Sequence, residues 1–288
     1  MSPTATRNIA SQSAGLTLYG LTLAAHVLSA FARGLITFIV LGLAGVLTGW
    51  PVPANTIAEI VAFAPLGVSL LSLLCPPLIA PIDRRWWEMS TGGRPPEHDE
   101  LEAFKEAFGE LKQADPGLRA PRHWFVAEEP GYNAAAYASS MRIHRGLLES
   151  GYAAAVIAHE MGHLRSSDAH LTSALNLLLL KSMDTPGLWP LRSLPFRGLL
   201  WVASGQAVTW FTANAWEMYW RSREFAADEY AARLGQGGAL AQSLRHDSLP
   251  YERSIQRMRF SRATHPYTKP RIARLHALQT ATQTEGAS

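Results

Sequence analysis

The residues best suited to chemistry lie in one short segment, His159-Glu160-Met161-Gly162-His163. Positions i and i+4 of an α-helix share one face, so both imidazoles could bind a single metal ion. Glu160 follows the first histidine and is placed to act as the general base toward an attacking water. The preceding residues 153–158 are apolar, which favours a buried helix over an exposed one whose histidines are merely polar. The pattern predicts a catalytic zinc site, with one Zn²⁺ per chain.

A catalytic zinc ion usually has three protein ligands, so the motif needs a further donor. One known extension would place glycine at position 166 and histidine at position 169, but Ser166 and Ala169 stand there and exclude it. Glu224 and Asp228 are the best candidates, since they lie four residues apart in a segment with helical character. One carboxylate could bind the metal while the other orients a ligand imidazole. The alternative is a solvated acidic face on that helix.

The elements that must position these residues predict an α+β fold, mostly helical with a small sheet. Apolar residues recur with helical spacing in several segments. The expected helices cover about 97–114, 152–168 and 205–234, and a last helix begins near Pro270. The expected strands, separated by turn-forming residues, are 124–127, 133–137 and 141–144.

The first part of the chain is strongly apolar. Residues 34–58 and 60–82 contain no charged side chain. Because about 20 apolar residues in a helix cross a bilayer, we predict an N-terminal transmembrane helical hairpin with spans at about 30–50 and 58–80. Residues 15–29 could extend the first helix or lie at the interface. A helical hairpin buried in a soluble protein is the alternative.

Basic residues flank the predicted spans on one side. Arg7 precedes the first span and Arg33 lies at its start, Arg84 and Arg85 follow the second, and the connecting turn 51–57 has no basic residue. Cytoplasmic flanks are enriched in Lys and Arg, so both chain ends should be cytoplasmic. We expect an integral protein of a bacterial inner membrane, with its catalytic domain in the cytoplasm.

Two domains are therefore expected, a membrane anchor at 1–82 and a zinc metalloprotease domain at 83–288. Residues 171–216 within the second domain are ambiguous. They are largely apolar, yet Arg192 and Arg197 lie in their middle. They could form a second inserted hairpin or a pair of helices at the interface or in the core.

Composition narrows the range of partners. The net charge is +3 and no basic cluster is interleaved with aromatic residues, which argues against nucleic acid. The single cysteine, Cys75, rules out an intrachain disulfide, a cysteine-rich metal site and a dithiol redox motif. The remaining partners are a protein or peptide substrate and the lipid bilayer. No pattern in the sequence specifies an oligomeric state.

Five ordered motifs give the chain a family resemblance. They are NAAA at 133–136, RGLL at 145–148, HEMGH at 159–163, REFAAD at 223–228, and THP at 264–266 followed by Arg271-Ile272. In this order the chain resembles the HtpX-like membrane gluzincins, which are related to the CAAX prenyl endopeptidases. The resemblance covers about residues 90–280. It implies a zincin-type catalytic domain and a zinc-dependent membrane endopeptidase.

The resemblance also implies roles for individual residues. Glu224 would be the third zinc ligand, and Asp228 would support a ligand from behind. His265 would sit near the reacting carbonyl, where it could stabilise the oxyanion. Arg271 would pair with an acidic residue near the site. The edge strand along which the substrate backbone pairs would consist of Asn133, Ala134, Ala135 and Ala136.

The leading functional interpretation is an endopeptidase for membrane or misfolded proteins, acting in quality control. A second interpretation is a maturation protease dedicated to one membrane or lipidated substrate. A catalytically inactive membrane scaffold belongs to a different class and predicts a damaged motif. Glu160 and all the proposed ligands are intact, which argues against it.

Overall fold

The computed structural model describes most of the chain. The described ranges are 3–49, 53–75, 92–137, 140–166, 168–179, 206–255 and 268–286, with positions 78, 81, 85 and 88. The chain divides into two compact units. The first comprises Met1–Ile79 and Leu171–Trp216, and the second comprises Ala80–His170 and Glu217–Ser288.

The first unit contains two long apolar helices, α1 (Pro3–Thr48) and α2 (Ala54–Leu74). Residues 15–29 continue α1 without a break, so they form an extension of the first helix. The two helices pack closely where the side chains are small. A Cβ atom added at Gly34 would lie 3.3 Å from the Cβ atom of Ala62.

Helix α2 is, among the described residues, the one helix long and apolar enough to cross a bilayer. Helix α1 contains two shorter apolar stretches, Ser13–Ala24 and Thr37–Thr48. The length and composition of α2 thus give weak support to membrane association. They concern the second predicted span, at about 58–80.

The predictions for the membrane depend partly on positions that the structure does not describe. These positions are Arg84, the side chain of Arg33, and residues 180–205 of the ambiguous segment 171–216. Orientation and a second inserted hairpin therefore stay predictions.

The second unit has the α+β composition that the sequence predicts. Its elements in chain order are α3 (His98–Ala114), β1 (His123–Ala127), β2 (Ala134–Tyr137), β3 (Ser140–His144), α4 (Arg145–Leu148), α5 (Ala153–Arg165), the start of α6 (Asp168–Leu179), the later part of α7 (Gln206–Arg233), α8 (Gly237–Ile255) and α9 (Thr268–Gly286). The chain passes between the two units within α6 and within α7. The three strands and the helices α3, α5, α7 and α9 lie close to their predicted positions. Helices α4 and α8 were not predicted, and α6 lies mostly in the ambiguous segment 171–216.

The described strands form one sheet in the order β1-β3-β2. Strand β1 pairs in parallel with β3, and β2 pairs antiparallel with β3 through registers such as Ala134 with Ile143. Strand β2 is therefore an edge strand. Beyond β1, Arg94 forms a single bridge with Val126.

Helix α5 runs through the core of the second unit. Residues 153–161 are all buried, including an alanine-rich stretch that suits both helix formation and close packing. Full burial of a side chain such as Ile157 stabilises the fold by about 1.5–3 kcal/mol. The other large side chains buried with it are Leu111, Met141, Ile143, Leu147 and Leu275.

Helix α5 ends at Arg165, earlier than the predicted residue 168. Ser166 stands at its C-terminus, where its hydroxyl donates to the Gly162 carbonyl at 2.8 Å. The hydroxyl also bonds to the carboxylate of Asp168 at 2.6 Å. Side chains that bond to nearby backbone compete with the helical pattern, and α5 therefore ends three residues before its predicted end near residue 168.

Candidate metal centre

The two histidines of the sequence motif lie one turn apart on α5, both largely buried. Glu224, on α7, faces them across a short gap. Its Oε2 atom lies 3.5 Å from Nε2 of His159, and its Oε1 atom lies 3.4 Å from Nε2 of His163. The candidate ligand atoms of the three residues all lie within 4.8 Å of one another.

This donor set fits a zinc ion. Two ligand atoms bound at ordinary distances to a tetrahedral zinc lie about 3.3 Å apart. The two histidine-to-carboxylate distances, 3.5 Å to Oε2 and 3.4 Å to Oε1 of Glu224, are each close to that separation, and one atom from each of the three residues lies within 4.8 Å of the others. Two imidazoles and one carboxylate also match the ligands that zinc takes in hydrolases. Of the described residues, this is the cluster of His, Cys, Asp and Glu that could hold a metal ion.

Gly162 allows α5 and α7 to approach closely enough for this arrangement. A Cβ atom at this position would lie 2.9 Å from the Cα atom of Ala227, and 3.1 Å from its Cβ atom. Such contacts are too short for carbon atoms, so any larger residue would push the helices apart. Glu224 lies one turn before Ala227 on α7, and its position therefore depends on the glycine inside the motif.

The imidazole of His159 is held from behind by Asp228. The Oδ1 atom of this aspartate lies 3.0 Å from Nδ1 of His159. Nδ1 is assigned as the protonated nitrogen because it faces a carboxylate, and Nε2 is then left to face Glu224. Asp228 is fully buried and binds Arg271 through two bonds of 2.8 and 2.7 Å.

These contacts determine the charges around His159. Burial alone would raise the pKa of Asp228, but the guanidinium of Arg271 and the imidazole of His159 lower it. The carboxylate therefore remains ionised. Burial alone would lower the pKa of His159, yet its bonds to Asp228 and Glu224 raise it.

The imidazole of His163 is supported by Asp168, which sequence reasoning missed. Oδ2 of Asp168 lies 3.5 Å from Nδ1 of His163. The same aspartate accepts bonds from Ser166 at 2.6 Å, from Nε of Arg223 at 2.8 Å and from the hydroxyl of Tyr219 at 3.2 Å. An acidic residue shortly after the motif, at the start of a new helix, was the available signal.

Electrostatics on this side resemble those around His159. Burial alone would raise the pKa of Asp168, but His163 and the charge of Arg223 lower it. Burial alone would lower the pKa of His163, yet its contacts with Asp168 and Glu224 raise it to about 10. Carboxylates thus hold a proton on the imidazole, and a divalent cation would take the place of that positive charge.

Arg271, from the C-terminal helix α9, also contacts the candidate ligand Glu224. Its Nη1 atom lies 3.0 Å from Oε2 of Glu224. The side chain is buried, and its pKa is raised because the neighbouring carboxylates outweigh the effect of burial. Arg271 therefore balances part of the negative charge of Glu224 and Asp228. The pairing of this residue with acidic groups near the site agrees with the expectation from the sequence.

Glu160 is buried, and its carboxylate lies near both His159 and strand β2. Oε1 of Glu160 is 4.0 Å from Nε2 of His159, and Oε2 accepts a hydrogen bond of 2.6 Å from the backbone N–H of Ala136. The proposed general base is thus next to the ligand atoms and also next to the edge strand.

The four residues of the predicted substrate edge lie at β2, with Asn133 immediately before it. Asn133 is exposed, Ala134 is buried, and Ala135 and Ala136 are half-buried. Within the described ranges no further strand pairs with the outer side of β2. Among the described strands, the outer side of β2 is thus unpaired, and it lies close to Glu160.

One predicted site residue, His265, lies outside the described residues, in the range 256–267. Its role near the reacting carbonyl stays a prediction. The described residues bring together the other predicted participants, His159, Glu160, His163, Glu224 and Asp228.

Comparisons with known proteins bear on the family. A comparison with curated proteins gave no match. The model of peptidase family M48 matches residues 111–279, more than half of the 288-residue chain. The matched range contains the motif on α5, the acidic residues on α7 and Arg271. The match is to the whole family, so the narrower HtpX-like assignment remains a prediction. The chain belongs to peptidase family M48, whose members are zinc-dependent metallopeptidases.

Proposed function

We propose that this protein is a zinc endopeptidase in which His159, His163 and Glu224 bind the metal and Glu160 is the general base. One observation carries the proposal. The candidate ligand atoms converge within 4.8 Å in a buried site, and each imidazole has a carboxylate behind it. The buried carboxylate of Glu160 beside the ligand atoms, 4.0 Å from Nε2 of His159, favours catalysis over an inactive scaffold, which would have no need of a base.

The chain's own residues would divide the chemistry between them. Zinc, when bound, supplies Lewis acidity that activates water and polarises the scissile carbonyl. Glu160 takes a proton from the attacking water and can deliver it to the leaving amine. Asp228 and Asp168 hold the Nδ1 protons of the two histidines, which keeps their Nε2 atoms directed at the metal.

The substrate would be an extended peptide that pairs with the outer edge of β2. Main-chain hydrogen bonds provide affinity in this mode of recognition and depend little on side chains. The small side chains of Ala135 and Ala136 leave room at that edge. His265 would donate to the oxyanion that forms at the scissile carbonyl.

We further propose that residues 1–82 anchor the enzyme in a bacterial inner membrane, with residues 83–288 catalytic and cytoplasmic. The apolar helix α2 and the predicted basic flanks support this location. Substrates would then be membrane or misfolded proteins, as in quality control. A dedicated maturation protease for one lipidated or membrane substrate is the alternative.

The decisive experiment combines metal analysis with a Glu160→Gln variant. We expect about one zinc per chain in both proteins, and hydrolysis of casein only by the wild type, because glutamine cannot accept the proton. A wild-type protein that purifies without zinc, in the absence of chelators, would refute the metal assignment. Full turnover by the Glu160→Gln variant would refute the assignment of the base.

Two further measurements address substrate and location. Casein cleavage supports broad quality control, whereas inactivity on casein with cleavage of one membrane protein supports the dedicated maturation protease. Protease added outside right-side-out vesicles should leave residues 97–150 intact. Their digestion would contradict a cytoplasmic catalytic domain.

A further inference from the structure

The backbone groups of the edge strand β2 alternate in direction. The carbonyl of Asn133 accepts a hydrogen bond of 3.0 Å from the N–H of His144 on β3. In an antiparallel pair such bonded positions recur at every second residue, so Ala135, opposite Arg142, also turns its N–H and C=O toward β3. The backbone groups of Ala134 and Ala136 then point outward, away from β3.

One of the two outward N–H groups already has a partner. The N–H of Ala136 donates to Oε2 of Glu160 at 2.6 Å. Glu160 is buried, with 8% of its surface exposed, so the bond lies in a region that is poor in water. Hydrogen bonds to a charged carboxylate in such surroundings are stronger than those between neutral groups.

We propose that Ala134 and Ala136 have different roles at the edge strand. Ala136 is a positioning residue whose N–H orients the carboxylate of Glu160. The N–H of Ala134 is the edge donor that receives a carbonyl of the substrate backbone. The inference rests on the proposed function, because it assumes that Glu160 is the base and that substrate lies along β2.

The physical reason is the freedom of a glutamate side chain. Its carboxylate can rotate about three bonds, and the oxygen that accepts a proton must face the reacting water. The bond to Ala136 holds Oε2, and Oε1 then lies on the side of His159, 4.0 Å from its Nε2 atom. Backbone held in a sheet is a rigid donor, so the base is oriented before substrate arrives.

The test replaces single backbone N–H groups by ester oxygens. Lactate at position 136 removes the N–H of Ala136 and keeps the side chain, and lactate at position 134 is the matched control on the same strand. The variants Ala136→Pro and Ala134→Pro provide a second pair, since proline also lacks the N–H and is tolerated on edge strands. Zinc content, kcat, KM and the affinity of a substrate peptide in a Glu160→Gln background are measured for each.

Lactate at position 136 should lower kcat about 10- to 100-fold, the loss expected for a hydrogen bond to a charged group, with KM within about twofold and zinc unchanged. Lactate at position 134 should raise KM about 2- to 10-fold, as for a neutral bond, with kcat little changed. Peptide affinity in the Glu160→Gln background should fall for position 134 and hold for position 136.

An unchanged kcat with lactate at position 136, or an equal rise of KM at both positions, overturns the proposed roles of Ala134 and Ala136. Failure of the proposed function has a different signature. In that case the unsubstituted protein lacks zinc-dependent hydrolysis, or the Glu160→Gln variant retains it.

Discussion

The two histidines of the candidate metal centre are held in different ways. Asp228 lies 3.0 Å from Nδ1 of His159 and binds one strong partner, the guanidinium of Arg271, through two bonds. Asp168 lies 3.5 Å from Nδ1 of His163 and is shared by three other donors. The first support is a buried pair of opposite charges, and the second is a network of charge and hydroxyl groups.

The difference shows how unequal supports can serve equivalent ligands. A bidentate arginine restricts the orientation of a carboxylate strongly, because two parallel bonds define its plane. A carboxylate shared among several donors is held by more contacts, each with a weaker preference for one geometry. The shorter contact to Asp228 suggests that His159 is the more firmly held imidazole. Arg271 also reaches Glu224, so the His159 side is connected to the third candidate ligand.

The largest expected effect follows from removing the arginine of the His159 side. In the zinc-free protein, Arg271→Met should lower the free energy of unfolding by about 3–5 kcal/mol, because the buried carboxylates of Asp228 and Glu224 would lose their counter-ion. Thermal and chemical unfolding of the detergent-solubilised protein measures this. Arg274→Met is the matched control on α9, since Arg274 is partly exposed and lies 3.4 Å from Glu229.

Exposed ion pairs contribute about 0.2–1 kcal/mol, so the control should be nearly as stable as the wild type. Equal losses in the two variants would mean that the buried pair has no special importance for the fold.

A second prediction concerns the glycine that lets α7 approach α5. Gly162→Ala should destabilise the protein by about 1–3 kcal/mol, because the added methyl group would overlap the backbone of Ala227. Zinc content should fall with it, since α7 carries Glu224 and Asp228. Gly109→Ala on α3 is the control, as nothing lies within 4 Å of an added Cβ there, and alanine favours a helix. A stable Gly162→Ala variant with full zinc would contradict the tight contact.

The third prediction compares the two aspartates directly. Asp228→Asn and Asp168→Asn should each weaken zinc binding about 10- to 100-fold, the range typical when a partner behind a histidine ligand is changed. The greater loss should occur in Asp228→Asn, because Arg271 would then have Glu224 as its remaining carboxylate partner and would compete with zinc for it. Competition with a zinc-binding dye gives both affinities. A greater loss in Asp168→Asn would reverse the proposed ranking of the supports.

The smallest effect is in proton release. A pKa of about 10 means that His163 carries a proton below that pH when no cation replaces it. Zinc binding at pH 7 should therefore release protons, and zinc affinity should rise with pH toward that pKa. Calorimetry in two buffers of different ionisation enthalpy measures the number released. When the measurement is made near pH ~9, Asp168→Asn should release fewer protons, because the pKa of His163 falls without this partner. An unchanged number there would argue against the Asp168 contact.

Much of the candidate site was accessible from the sequence because its signals are local. The spacing of His159 and His163 determines that they share a helix face, and the apolar residues before them indicate burial. The strands at 124–127, 133–137 and 141–144 were recognisable from short runs between turns. The assignment of Glu224 as a ligand needed more information, because helical spacing made Glu224 and Asp228 equally good candidates. Only the family resemblance distinguished the two.

Only the tertiary structure determined which residues are in contact when they are distant in the chain or separated by a break in a helix. No periodicity links Gly162 to Ala227, Asp228 to Arg271, or the N–H of Ala136 to Glu160. Asp168 escaped prediction because α5 ends at Arg165 and a new helix begins at Asp168, so the spacing of one helix does not predict its contact with His163. Helical spacing is a property of one segment, whereas these contacts depend on how separate segments pack against one another, and packing is determined by the whole core.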